Sequence, residues 1–316
     1  MQLPENVRRA IEERTSAVEF RALRIAAQDL SEAYRKGFPP RLDNPAHVAA
    51  YLATRMPATY AAATAVLREV RTRLGDELVE SVLDAGAGTG ASALAAEQWL
   101  RPKTLTLVDR DGCMADAARE FLPQAGIRIM DFERNAALPP HSIVIAAYSL
   151  GENAGVRVLT RLWEAALLCL VIIEPGTPRG FATIRQVRTE LLSAGAHLLA
   201  PCPAAGPCPM IDPDWCHFGA RVERTSLHRR LKGAELSYED EKFSYVAFAR
   251  KPFPRTVARI VARPLYQPGL AVLETCTPQG LETARVTKSD REAFRAARSA
   301  VWGGEFLLNV TKNRGS

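Results

Sequence analysis

The sequence predicts an α/β fold in which a mainly parallel sheet is covered by helices. An N-terminal helical cap precedes the sheet, a cysteine-rich insertion interrupts it, and a small α+β appendage follows. Three observations carry this. Short apolar runs alternate with helical patterns from Asp76 to about Arg250, a purely helical rhythm comes before them, and "VLDAGAGTGASAL" reads as strand, glycine turn and helix start.

Taken in order, residues 1–75 place apolar residues at three- and four-residue spacings in "RRAIEERTSAVEFRALRIAAQDLSEAYR" and again from Ala46, with Pro57 expected to kink or restart the second helix. Residues 76–250 form the sheet domain. Its strands are "SVLDAGAG", "TLTLVDRD", "IRIMDFE", "SIVIAAYSLGE" and "CLVIIEPGTP", and its helices "ASALAAEQWL", "CMADAAREFL" and "VRVLTRLWEAAL". A helix near Ala182–Ala194, the strand "AHLLAP", the insertion at 201–218 and a returning strand, "EDEKFSYVAFARK", complete it. Residues 251–316 read as an appendage with a strand at "AVLETCTP" and one helix.

Composition narrows the class. With 47% hydrophobic and 24% charged residues the chain is an ordinary globular one. The longest apolar run, around Ala165–Ile173, is too short to cross a bilayer, so no membrane partner is expected. The N-terminal stretch mixes acids and bases and has no leader pattern, which predicts a cytoplasmic protein. Charge is uneven: residues 251–316 hold 11 of the 41 Lys+Arg and 5 of the 35 Asp+Glu, so the whole formal charge of +6 lies there. A basic tail suits a polyanion such as RNA, although isolated surface cations are commonly only solvated.

The glycine turn is a weak signal alone, since "GAGTGA" also fits a dinucleotide loop or a plain tight connection. The acids separate these readings. Asp84 lies at the turn, Asp109 ends the next strand and Asp131 follows the third, with Gly86, Gly88 and Gly90 between the first two. This succession resembles the class I S-adenosylmethionine-dependent methyltransferases. The resemblance implies a first acid near the methionine moiety, a second on the ribose hydroxyls and a third by the adenine. After the fourth strand the chain reads Ala147-Tyr148-Ser149-Leu150-Gly151-Glu152, without the motif of amino-directed enzymes. Tyr148 and Glu152 are the only, weak, catalytic candidates. The Pro-Cys and Thr-Cys pairs of RNA cytosine-5 enzymes occur here too late in the chain to serve as nucleophiles.

Cys202, Cys208 and Cys216 crowd into "PCPAAGPCPMIDPDWCHF", and Cys276 follows. Four soft thiolates suit zinc or an iron–sulfur cluster, with His217 as a substitute ligand. Cys113 and Cys169 read as core residues.

"WCHFGARVERTSLHRRLKGAELSYEDEKFSYVAF" strongly resembles the methyltransferase-like proteins of the mitochondrial small ribosomal subunit and their bacterial relatives. So do "RMPATYAA", "AAYSLGE", "EPGTPRGF" and "KSDREAFRAARSAVWGG", over about residues 45–305. The resemblance implies a class I methyltransferase fold and association with the small ribosomal subunit and its rRNA during assembly. It also implies a 4Fe–4S cluster held by Cys202, Cys208, Cys216 and Cys276. It implies assembly factors rather than demonstrated enzymes, so the leading expectation is a cofactor-binding factor for assembly or translation, monomeric off the ribosome. An active rRNA or small-molecule methyltransferase with a structural metal is the alternative. Arg229, Arg230 and Lys232 follow the cysteine block, and a capping box of Ser289 and Glu292 is expected to start a helix bearing Arg291, Arg295 and Arg298; these six are the RNA-binding candidates.

Overall fold

The structure of the protein, a computed structural model, describes residues 1–36, 42, 44–134, 137–150 and 156–306. Four helices come first: α1 (Glu5–Ser16), α2 (Phe20–Arg35), α3 (Pro45–Thr54) and α4 (Met56–Leu74). Pro57 falls in the first turn of α4, where its missing N–H removes no helical bond, so the proline restarts the helix rather than kinking it.

The sheet domain alternates as its pattern requires. It runs β1 (Ser81–Ala85), α5 (Ala91–Leu100), β2 (Thr104–Asp109), α6 (Gly112–Phe121), β3 (Gly126–Ile129), β4 (His141–Ala147), α7 (Val156–Ala165), β5 (Ala166–Pro175), α8 (Pro178–Ser193) and β6 (His197–Ala200). Then come β7 (Phe218–Glu223), α9 (Ser226–Lys232) and β8 (Tyr238–Ala249). Strand order is β3-β2-β1-β4-β5-β8-β6, with β7 also on β8. The first five strands are parallel, and β8 is antiparallel to β5, β6 and β7. This is the class I methyltransferase Rossmann-like sheet. Alternate residues of one strand enter opposite layers: Ile143 and Ile145 of β4 join the core under α4 and α5, while Val144 and Ala146 join that under α7 and α8.

Two strands share one edge of β8. β6 pairs with Ala247–Ala249 and β7 with Tyr238–Phe243, both antiparallel to it, so they lie end to end along that edge. The cysteine stretch is the loop thrown out between them.

The tail adds β9 (Arg259–Ile260), β10 (Leu265–Gln267), β11 (Leu270–Thr277), β12 (Gly280–Thr287) and α10 (Arg291–Arg298). Its four strands form a separate sheet over a core of Leu273, Val286 and Phe306. The capping expectation shifts by one residue. Asp290, not Ser289, caps α10 by accepting from the Ala293 N–H, and Ser289 is taken up by Thr287. Cys169 is buried as expected, but Cys113 is exposed: α6 turns Ala115, Ala118 and Phe121 inward and leaves its first turn outside. Among the described residues no helix is long and apolar enough to cross a membrane.

Candidate functional site

The glycine turn bends back on β2. Gly86 and Ala87 N–H groups donate to the Val108 carbonyl at 2.8 and 3.1 Å, and Gly86 adopts φ +74°. A Cβ there would stand 2.4 Å from Cβ of Ser149, so only glycine permits β1 and β4 to approach so closely. Asp109 holds the turn from the other side, its two carboxylate oxygens accepting from the N–H groups of Gly88 (2.7 Å) and Asp111 (2.8 Å). The result is a cavity of about 780 Å³ against the start of α5. Gly86, Gly88, Asp109 and Asp131 all line it.

Two residues expected at the cofactor lie behind that wall. Gly90, at φ +80°, packs against Leu107, Ala118 and Leu122. Asp84 is fully buried beneath the loop and accepts from the Ser92 hydroxyl at 2.6 Å; Ser92 reaches the cavity in its place. Burial pushes the Asp84 carboxyl up to about 7 against the lowering pull of the Ser92 hydroxyl.

Tyr148 lies on the cavity wall with φ +56° and donates from its hydroxyl to Glu241 Oε1 at 3.2 Å. Glu152 lies outside the described residues. The sequence reading missed the groups around Tyr148. Arg55 stacks on Tyr34 with 4.5 Å from guanidinium to ring centre, and Glu174 accepts from the Leu150 N–H while burial lifts its carboxyl to about 8. Both stand in blocks quoted for the resemblance, "RMPATYAA" and "EPGTPRGF", which carried no role for them.

The four cysteines share a cavity wall. Cys202, Cys208, Cys216 and Cys276 line one cavity of about 40 Å³, larger than the roughly 10 to 15 Å³ that holds a single water. Cys276 arrives from β11, where it faces Arg259 across the ladder. Burial pushes the Cys202, Cys216 and Cys276 thiols up, that of Cys276 to about 12, and the neighbouring thiols add to the rise. The donor set, four thiols in a largely apolar wall, fits a thiolate-bound metal group. Among the described residues no three His, Cys, Asp or Glu side chains already converge on a single-ion site. His217 is engaged elsewhere: its ring stacks on Trp215, meets Trp302 edge-on and shares a hydrogen bond with the Trp215 carbonyl.

The family described as "Mitochondrial small ribosomal subunit Rsm22" matches residues 45–307. The chain belongs to that family. Among its relatives it is 26% identical over 286 residues to the human "Ribosome assembly protein METTL17, mitochondrial", covering 80% of this chain and 61% of that protein. It is 25% identical over 324 residues to the "Rsm22-cox11 tandem protein 2, mitochondrial" of Schizosaccharomyces pombe, covering 83% and 43%. The chain thus spans about half of each relative's length. Among solved structures, a putative RNA methyltransferase of Pyrococcus horikoshii aligns at TM-score 0.41 and 19% identity, over 60% of this chain and 81% of that one. A SAM-dependent methyltransferase of Aquifex aeolicus aligns at 0.41 and 17%, over 65% and 98%. The expectation of a cytoplasmic protein is overturned here. The relatives named are mitochondrial, as is the family's description.

In this Rsm22-family chain the six basic candidates divide. Lys232 is held by Glu239 at 3.0 Å, Arg230 stacks on Phe20 at 4.2 Å, and Arg229 is half-buried. On α10, Arg291 and Arg295 are exposed, and Arg298, also exposed, lies over Tyr266. The α10 face is therefore the freer of the two.

Proposed function

We propose that the chain binds S-adenosylmethionine in the cavity under the Gly86–Ser92 turn, carries an iron–sulfur group on its four cysteines, and assists assembly of the small ribosomal subunit by contacting rRNA. One observation carries the reading: the cofactor-type cavity and a four-cysteine cavity stand in one chain of a ribosomal-subunit family. When bound, S-adenosylmethionine supplies an electrophilic methyl group. Around it, the first turn of α5, where Ala91 and Ser92 line the cavity, offers N–H groups that attract a carboxylate, and Asp109 accepts from sugar hydroxyls. Asp131 lines the same cavity. Asp109→Asn is expected to weaken cofactor binding about tenfold to a hundredfold by calorimetry, the range of one to two lost charge-assisted hydrogen bonds. Unchanged affinity would remove Asp109 from the site.

The metal is tested on anaerobically purified protein, which should be brown with about four irons per chain. A colourless protein with stoichiometric zinc overturns the iron–sulfur assignment. For rRNA, Arg291→Ala and Arg295→Ala should each reduce the slope of log affinity against log salt by about 0.7 to 0.9. An unaltered slope would take α10 off the interface.

The alternative, an active methyltransferase, has one observation in its favour: the cavity continues past the acids to Tyr34, Arg55, Tyr148 and Glu174, leaving room for an acceptor. Labelled methyl transfer to immature subunits, lost in Tyr148→Phe, would establish it. Accumulation of immature subunits with fully methylated rRNA in a deletion strain would exclude it.

A further inference from the structure

Arg185 and Arg188 line the cysteine cavity and Arg259 pairs with Cys276 across the ladder; two of the three have their charge answered. Arg185 faces Asp212 at 3.7 Å. Arg259 donates to Glu69 at 2.6 Å, and Arg73 closes on the same carboxylate. Arg188 differs. It is 5% exposed, lines the cavity from α8, and among the described residues has no carboxylate within ion-pair distance. Its Nη2 donates to the carbonyls of Ala204 (2.9 Å) and Gly206 (2.6 Å), inside the loop between Cys202 and Cys208, and its Nε is buried without a partner.

An isolated buried cation is expensive even after relaxation, and two carbonyl dipoles offset only part of that. The groups left to answer Arg188 are the thiols. Cys202, Cys208, Cys216 and Cys276 line the same cavity as Arg188. Four thiolates on an oxidised 4Fe–4S core leave a net charge of about −2, and one added electron makes it about −3.

Resting on the iron–sulfur reading above, we infer that Arg188 is the built-in counter-charge of the cysteine cavity: it holds the Cys202–Cys208 loop through two carbonyls and stabilises the more negative, reduced state of the group bound there. Arg188 bonds the loop and lines the cavity with the thiols, so it acts by positioning and by charge, not as a ligand. The electron in question comes from an external reductant.

The test uses the full chain, reconstituted anaerobically with ferrous iron and sulfide, and titrated with dithionite while the reduced fraction is followed by paramagnetic resonance. Arg188→Met removes charge and fork; Arg188→Lys keeps the charge and loses the fork. The expected result is equal iron and sulfide in all three, with the ratio of reduced to oxidised protein at a fixed potential at least tenfold lower in R188M, a shift of about 59 mV for one electron, and R188K within twofold of wild type. If R188M does not fold by circular dichroism, Arg188→Gln, neutral but still a donor to the loop, takes its place with the same expectation. Coincident titrations of all proteins overturn the inference, as does R188K falling together with the neutral variant, which would leave only a loop-holding role. Failure of the wild type itself to take up iron and sulfide is a separate result: it removes the iron–sulfur reading, and with it the reduced state that Arg188 is held to stabilise.

Discussion

Asp84 and Gly86 stand two residues apart and answer different demands. Gly86→Ala sets a Cβ 2.4 Å from Ser149 at a left-handed φ, a conformation costing an alanine about 1 to 2 kcal/mol before the clash is counted. Cofactor affinity should fall at least tenfold by calorimetry, whereas Gly75→Ala, also at positive φ but with nothing within 4 Å, should lower stability by about 1 kcal/mol and leave affinity alone. Asp84 makes a pH prediction. Its carboxyl is raised from 3.8 to about 7, so the unfolded chain ionises first and stability falls as pH rises between those values, then levels. Asp84→Asn should match wild type near pH 3.5 and exceed it by a few kcal/mol at pH 8 in denaturant titrations. At this scale the sequence was a partial guide. The glycines and acids were legible because a turn and a strand end demand them, but which of them face the cavity was not. Asp84 and Gly90 lie one layer behind, and Arg188 sits in an ordinary helical pattern that gives no sign of burial.

Among the elements, β8 does the most joining. It completes the main sheet, and Glu239 near its start receives Arg224 (2.6 Å) and Lys232 (3.0 Å) and lies 3.4 Å from His228, fixing α9 to the sheet. Burial alone would raise the Glu239 carboxyl; these basic neighbours overcome it and hold the group well below its ordinary 4.5. A depressed acid stabilises above its unfolded value, so this contribution is full above pH 4.5 and is lost as pH falls through the folded value. Glu239→Gln should lower stability by about 2 kcal/mol at pH 7 and flatten the acid side of the stability curve. β8 itself was readable from its alternation, and β1 to β6 from their apolar runs. β7, β9, β10 and β12 were not assigned. β7 alternates over only six residues behind a proline-rich loop, and β12 buries little beyond Ala284 and Val286, too faint a period to separate from loop.

For the whole molecule, the tail and the body are joined through Arg259. It is 3% exposed and donates to the Pro201 carbonyl at the cysteine loop, to the Gly303 carbonyl and to Glu69 on α4. Arg259→Ala leaves Glu69 with Arg73 alone and should cost about 3 kcal/mol or more. Limited proteolysis should then cut within residues 251–258, where wild type resists. None of this was visible in the spacing of the cysteines. The sequence counted Cys276 among four thiols, its assignment as the fourth ligand came with the resemblance, and its placement at the same cavity depends on how β11 folds back from a separate sheet.

Helix α8 has two clients. Gly180 and Thr183 line the cavity under the glycine turn, while Phe181, Ile184 and Arg188 line the cysteine cavity. Each residue of a helix turns it by about 100°, so removing one residue between Ile184 and Arg188 would swing Arg188 away from the thiols while leaving the cofactor side in place. A side chain on α8 touches one site or the other, but the helix's count of residues bears on both: α8 is a ruler that keeps two cavities in phase.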